Sequence, residues 1–239
     1  MQKNTSILKS EYWRTAAKNF GSTDMLAIAG IIIALRIAVK AFSIPIVPGL
    51  YFTFDCYINA IGSFIYGPLV SLAVGAVSDT IGAVLFPKGA YFLPFILTEM
   101  LSGFIFSLFL WKRDITAPKV IFSKFTVNLV CNIILTSIFM KWYYAFFGID
   151  SVYPLINLVR IVKNLILFPF EGVLISIVLW LVIPGLKRIN IADRNIITKK
   201  PEKKHILLTL ILLILSIAIL IAYIFLLSPW LEAHNVKWL

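Results

Sequence analysis

The stretch from Tyr66 to Trp111 holds two long apolar runs with one acid inside each, Asp79 in the first and Glu99 in the second. Such runs read as two membrane-spanning helices. The loop between them, FPKGAYF, gathers a rigid Pro, a permissive Gly and three aromatic rings at one membrane face. An ionised carboxylate at bilayer depth costs roughly 2.5–3.5 kcal/mol on insertion scales, so it faces a partner, a cavity or a ligand rather than lipid. This helical hairpin is therefore the first place to look for a binding site.

Further apolar runs occupy most of the chain. Hydrophobic residues make up 60% and charged residues 14%, against about a quarter charged in soluble domains, and the mean hydropathy is +0.94. The expected fold is an all-α integral membrane protein. The first span runs from about Met25 to Phe42, and a proline-containing loop, SIPIVPGLYFTF, leads to a short, weaker helix from about Asp55 to Tyr66. Spans ending near Phe86, from Tyr91 to Leu110, from Val120 to Phe147 and from Pro154 to Ile183 follow, and a seventh, Ile206 to Leu227, is almost pure Leu and Ile. The domain reading is a basic segment over 1–23, a six-helix membrane domain over 24–188, a basic linker over 189–205, and an additional transmembrane helix with an outer tail over 206–239. Residues 1–23 read either as an interfacial helix on an anionic leaflet or as a solvated tail.

The net charge of +11 is explained by topology rather than by nucleic acid. Placing the N-terminus in the cytoplasm puts Lys3, Lys9, Arg14 and Lys18 inside. It also puts Lys112, Arg113, Lys119 and Lys124 inside after the fourth span, and Lys187, Arg188, Arg194, Lys199, Lys200, Lys203 and Lys204 in the last linker. Lys40, Lys88 and Lys237 are left outside. The chain is accordingly expected in the cell (plasma) membrane.

Four helices present polar faces to one another. The third span offers Gly75, Ser78, Asp79 and Gly82, and the fourth Phe95, Thr98, Glu99, Ser102 and Gly103. The fifth offers Asn128, Asn132 and Thr136, and the sixth Asn157, Arg160, Lys163, Asn164 and Glu171 within about a third of its circumference. One reading is that Asp79 or Glu99 pairs with Arg160 or Lys163 to neutralise the bundle. The other is a pocket open to the outside. Its ligand would bring an anionic end for Arg160 and Lys163, hydrogen-bond donors for a carboxylate, and a flat apolar body for Phe86, Tyr91 and Phe92. In the first span Gly30, Ala34 and Ala38 form a small-xxx-small groove, either for a helix of the same chain or for a second protein.

Several chemistries are missing. No GxxxxGK[ST] or HExxH occurs, His205 and His234 lie outside the six-helix core, and Cys56 and Cys131 are isolated. No enzyme activity, cofactor or metal is expected, and energy coupling must come from an ion gradient or a partner.

With these residues in place, the chain resembles the substrate-binding S components of energy-coupling factor (ECF) vitamin transporters, the folate family in particular. The segments that carry the resemblance are YGPLVSLAVGAVSDTIGAVLFPKGAYF, LTEMLSGFIFSLFLWKR, RIVKNLILFPFEGVL and, more weakly, AIAGIIIALRIAVKAF, spread over residues 24–188. The resemblance implies six core helices that bind a vitamin from outside, and assembly with a transmembrane coupling protein (T component) and two ATPases. It also implies docking through Gly30, Ala34 and Ala38, and toppling of the subunit to release its cargo. On that footing Asp79 accepts from a pterin, the aromatics stack on it, and Arg160 with Lys163 faces the glutamate carboxylates. Glu99, Asn128, Asn132 and Asn164 complete the candidate site. The basic linker, the seventh span, Lys88 and Ala90 depart from the family pattern. An S component for another vitamin or precursor, or an ion-coupled secondary transporter, is the alternative.

Overall fold

The computed structural model describes residues 7–42, 44–47, 50–87, 91–148, 158–191 and 196–197, together with single positions between 207 and 225. Side chains of the strands near residue 50 and of several positions early in the last long helix, Lys163 among them, lie outside the described residues, as do Lys88, Asn157 and most of the seventh span.

Among the described residues, eight α-helical elements follow one another up to residue 188: α1 Ser10–Phe20, α2 Thr23–Lys40, α3 Asp55–Tyr66, α4 Pro68–Leu85, α5 Phe95–Leu110, α6 Ala117–Val127, α7 Thr136–Phe146 and α8 Leu158–Arg188. From α2 onward they run up and down. Gly67, at φ 85°, turns α3 into α4 in a conformation that costs a Cβ-bearing residue energy, and Pro68 then starts the helix where a missing N–H is harmless. A π-helical segment, Asn128–Leu135, joins α6 to α7. Its wider turns are closed by Thr136, whose hydroxyl donates to the Cys131 carbonyl five residues back at 2.7 Å.

Among the described residues, three helical stretches are long and apolar enough to cross a membrane: Pro68–Leu85, Ala117–Phe146 and Phe168–Arg188. A fourth is reached if α1 and α2, bent by 74°, count as one span. Apolar side chains left exposed all round the bundle, such as Ile31, Leu35, Val77, Val84, Leu97, Phe122, Trp142 and Leu181, form a surface suited to lipid rather than water. At 12 residues α3 is about 18 Å long, short of the ~30 Å apolar thickness, which explains its weak signature.

Within SIPIVPGLYFTF, β1 (Ile44–Val47) and β2 (Leu50–Phe52) pair antiparallel, with Ile44 opposite Phe52 and a register shift between Pro45 and Val47. β-Branched residues in β1 and aromatic residues in β2 favour this pairing. It marks one end of the molecule, called here the hairpin end, where α2, α4 and α7 finish and α3, α5 and α8 begin. At the opposite end α1 lies with Tyr12 and Ala16 buried against Trp111, and Asn19 donates to the Tyr66 carbonyl at 3.1 Å. Its apolar face is thus spent on the bundle, while Lys9, Arg14 and Lys18 stay exposed. A freely solvated tail does not describe this segment.

The main core joins α3, α5, α6 and α8 through Phe64, Phe106, Leu110, Val120, Ile175, Leu179 and Ile183. Close helix approach depends on glycine at one point above all. A Cβ on Gly75 would lie 2.7 Å from the Glu99 carbonyl oxygen and 2.8 Å from Met100 backbone atoms, so α4 and α5 touch backbone to backbone there.

Candidate functional site

Among the described residues, five charged side chains join in one network at the hairpin end. Arg36, near the end of α2, is fully buried and donates from Nε to Asp55 Oδ1 at 2.8 Å and from Nη2 to Asp55 Oδ2 at 2.7 Å. The same Nη2 donates to Glu99 Oε2 at 2.5 Å, which ties α2, α3 and α5 together. One turn further along α2, Lys40 Nζ reaches Asp79 Oδ1 on α4 at 2.9 Å. It does so across Gly82, where a Cβ would lie 2.8 Å from the lysine Cδ. Bidentate, charge-assisted bonds of this kind are the strong members of their class.

Asp79 and Glu99 are held by Lys40 and Arg36 of the first span, bases that the sequence reading left out of the site; the side chain of Lys163, one of the bases expected to pair with them, lies outside the described residues. Lys40 belongs to a helix end inside the site rather than to an outer loop. Arg36 and Asp55 have no role in the sequence reading, although basic residues four apart at the end of an apolar span, RIAVK, are the signal that finds them. Lys124, counted among the cytoplasmic basic residues, is instead buried in the bundle, 3.0 Å from Glu171 Oε2 on α8.

The expected aromatics lie at the same end but do different things. Phe92 packs among Phe95, Tyr143, Phe146 and Phe147 at centroid distances of 5.7, 5.7, 5.9 and 6.4 Å. Tyr91 is exposed, with its hydroxyl 3.3 Å from that of Thr80 on α4, and Phe86, also exposed, caps α4. Tyr143, Phe146 and Phe147 come from a run, KWYYAFF, that closes the fifth span and escaped the sequence reading.

The amides form a chain linking the π-helical segment to α8. Asn132 Nδ2 donates to Asn128 Oδ1 at 3.0 Å, Asn128 Nδ2 to the Asn164 carbonyl at 3.2 Å, and Asn164 Nδ2 to the Arg160 carbonyl at 2.9 Å. Their donors are engaged within the protein. Beside them lies a cavity of about 260 Å3 lined by Phe125, Asn128, Leu129, Ile133, Ile161, Asn164 and Phe168. None of the acids lines it, and it falls below the ~300–1,000 Å3 usual for ligand sites. Arg160 stands one turn before Asn164 on α8, while the side chain of Lys163 lies outside the described residues. Among the described residues no group of three or more His, Cys, Asp or Glu could hold a metal ion.

Gly30, Ala34 and Ala38 are all exposed on α2, opposite its buried Ala29, Ile32 and Arg36. A Cβ on Gly30 would meet nothing within 4 Å. Among the described residues no helix of this chain fills that groove.

Comparison with known proteins decides the family. The model for the ECF-type riboflavin transporter S component matches residues 20–188. The chain is an ECF-type S component. It is 28% identical over 116 residues to a folate transporter FolT of Clostridium novyi, covering 48% of this chain and 64% of that protein. It is 38% identical over 108 residues to a folate transporter FolT of Leuconostoc mesenteroides, covering 44% of this chain and 58% of that one. The alignments thus span about three-fifths of these relatives' length. The crystal structure of FolT bound with folic acid matches at 28% identity with a TM-score of 0.54, over 64% of this chain and 90% of that chain. The hairpin end of this S component gathers its buried charges and exposed aromatics.

Proposed function

We propose that this S component binds folate from outside the cell and delivers it through an ATP-driven importer. The observation that carries the reading is the acid excess of the ion-pair network at the hairpin end, where, among the described residues, Asp55, Asp79 and Glu99 are paired with Arg36 and Lys40. A pterin ring presents adjacent N–H donors along one edge, which suit a carboxylate. Phe86, Tyr91 and the Phe92 cluster offer faces for its flat rings. Arg160 and Lys163, at the start of α8, are the cations for the glutamate carboxylates, and Asn128, Asn132 and Asn164 brace that side. The names of the two relatives and of the solved structure support folate.

Riboflavin is the second reading, favoured by the description of the matching family. Its imide edge places a single N–H between two carbonyl oxygens, and those oxygens would face the same acids. Calorimetric titration of the purified protein separates the two. Folate binding at least 100-fold tighter than riboflavin supports the first; the reverse order replaces the ligand and keeps the subunit class.

Positive residues at the α1 end put that end in the cytoplasm and the hairpin end outside. The exposed Gly30, Ala34 and Ala38 face serves the T component, which brings two ATPases, since this subunit contributes none. On this reading residues 189–205 are the cytoplasmic linker and 206–239 the additional transmembrane helix with its outer tail, most of them outside the described residues. Uptake by vesicles holding the whole assembly and ATP, lost with Ala34→Leu, tests this docking.

A further inference from the structure

The three acids at the hairpin end are not equivalent. Asp55 has both carboxylate oxygens on Arg36, and its charge is spent there. Asp79 is matched one to one by Lys40. Glu99 takes a third bond from a guanidinium already neutralised by Asp55, so its negative charge is the surplus of the network. Its side chain is also the most accessible of the three, 31% against 15% for Asp55 and 18% for Asp79. Among the described residues Oε1 accepts no hydrogen bond, and Oε2, bonded to Arg36, keeps a second lone pair.

The position of this carboxylate is fixed twice. Gly75 brings α4 against the Glu99 carbonyl, which sets the backbone, and the buried Arg36 sets the side chain. Arg36 Nη1, fully buried, has no hydrogen-bond partner among the described residues, so the guanidinium is held by its two carboxylates alone.

We propose that Glu99 is the specificity-determining carboxylate of the site, held by Arg36 as a positioning residue, and that it reads two adjacent N–H donors on the ligand's pyrimidine ring. This rests on the folate reading above and assigns it to one side chain. A 2-amino-4-oxo edge offers a donor at the amino group and another at N3, and two parallel N–H···O bonds form as in an arginine–carboxylate fork. Replacing the amino group by a methyl group removes one donor and leaves a carboxylate oxygen unpaired and desolvated, an asymmetry that sites built on hydrogen bonds use to reject analogues.

The test uses the full-length purified protein and two quinazoline antifolates that differ only in a 2-amino against a 2-methyl group. Wild type is expected to prefer the 2-amino compound at least 10-fold, and Glu99→Gln to reduce that preference to about 2-fold. Asp79→Asn lowers affinity for both compounds alike and keeps the ratio. Arg36→Lys keeps a cation but loses the fork, and it moves the ratio toward one, which a purely structural role would not do in the folded fraction. Equal binding of both compounds by wild type overturns the inference without any variant, and so does a full preference retained in Glu99→Gln. In both cases folate itself still binds; failure of wild type to bind folate is the separate failure of the underlying reading.

Discussion

Two buried charge clusters cross the same bundle and differ in one respect. Lys124 and Glu171 face each other at 3.0 Å between α6 and α8, both nearly inaccessible and balanced one to one. The network at the hairpin end joins α2, α3, α4 and α5, carries one acid more than it has bases among the described residues, and keeps part of its surface open. A closed neutral pair holds helices together and has nothing left to offer. An unbalanced, partly open network has an unmet valence at the end where aromatic rings gather. Charge in the membrane is costly in both places, but only the second leaves a group whose cost a ligand can relieve.

That contrast is broken most directly at the closed pair. Lys124→Met strands Glu171 in the bundle and is expected to cost about 3–5 kcal/mol, read as a fall in thermal unfolding temperature in detergent. Folate affinity of the folded fraction stays at the wild-type value, and Lys124→Met with Glu171→Leu recovers most of the loss. Arg36→Gln is expected to destabilise by a similar ~3–5 kcal/mol and, unlike Lys124→Met, to lower ligand affinity as well. If both variants move stability alone, the distinction between the clusters is gone.

Smaller effects sharpen it. Ala at Asp79 or at Arg160 should each weaken folate binding 10-fold or more, as expected for charge-assisted bonds worth roughly 1.5–3 kcal/mol; near wild-type affinity in both variants, by titration, removes them from the site. Gly75→Ala drives a methyl group into the α5 backbone and should cost about 1–3 kcal/mol by overpacking, with a shift in affinity because Glu99 moves with that backbone. Gly82→Ala meets only the flexible stem of Lys40, and its unfolding temperature should change least, by the equivalent of under ~1 kcal/mol.

The spans were legible because hydropathy is local and additive along a helix. The Asp55–Tyr66 reading coincides with α3, and Gly67–Pro68 is the turn it was taken to be. Pro45 and Pro48 drew attention away from the β1–β2 hairpin, since proline argues against a strand unless it lies at an edge or bulge, and the register shifts next to Pro45. Asp79 and Glu99 stood out as acids in apolar surroundings. Arg36 did not, because a base near a span end passes for a snorkelling residue until its neighbours are known.

What the sequence determined by itself was the order of the apolar helices over residues 24–188, the end at which polar residues collect, and the membership of a family of membrane subunits. Which acid meets which base was decided only in three dimensions. Arg36 lies 19 residues from Asp55 and 63 from Glu99, and Lys40 lies 39 from Asp79. Hydropathy carries no information on which helix faces which or at what depth. The backbone contact at Gly75 and the passage of Lys40 over Gly82, where missing side chains let the helices come close, set the geometry around Glu99 and Asp79.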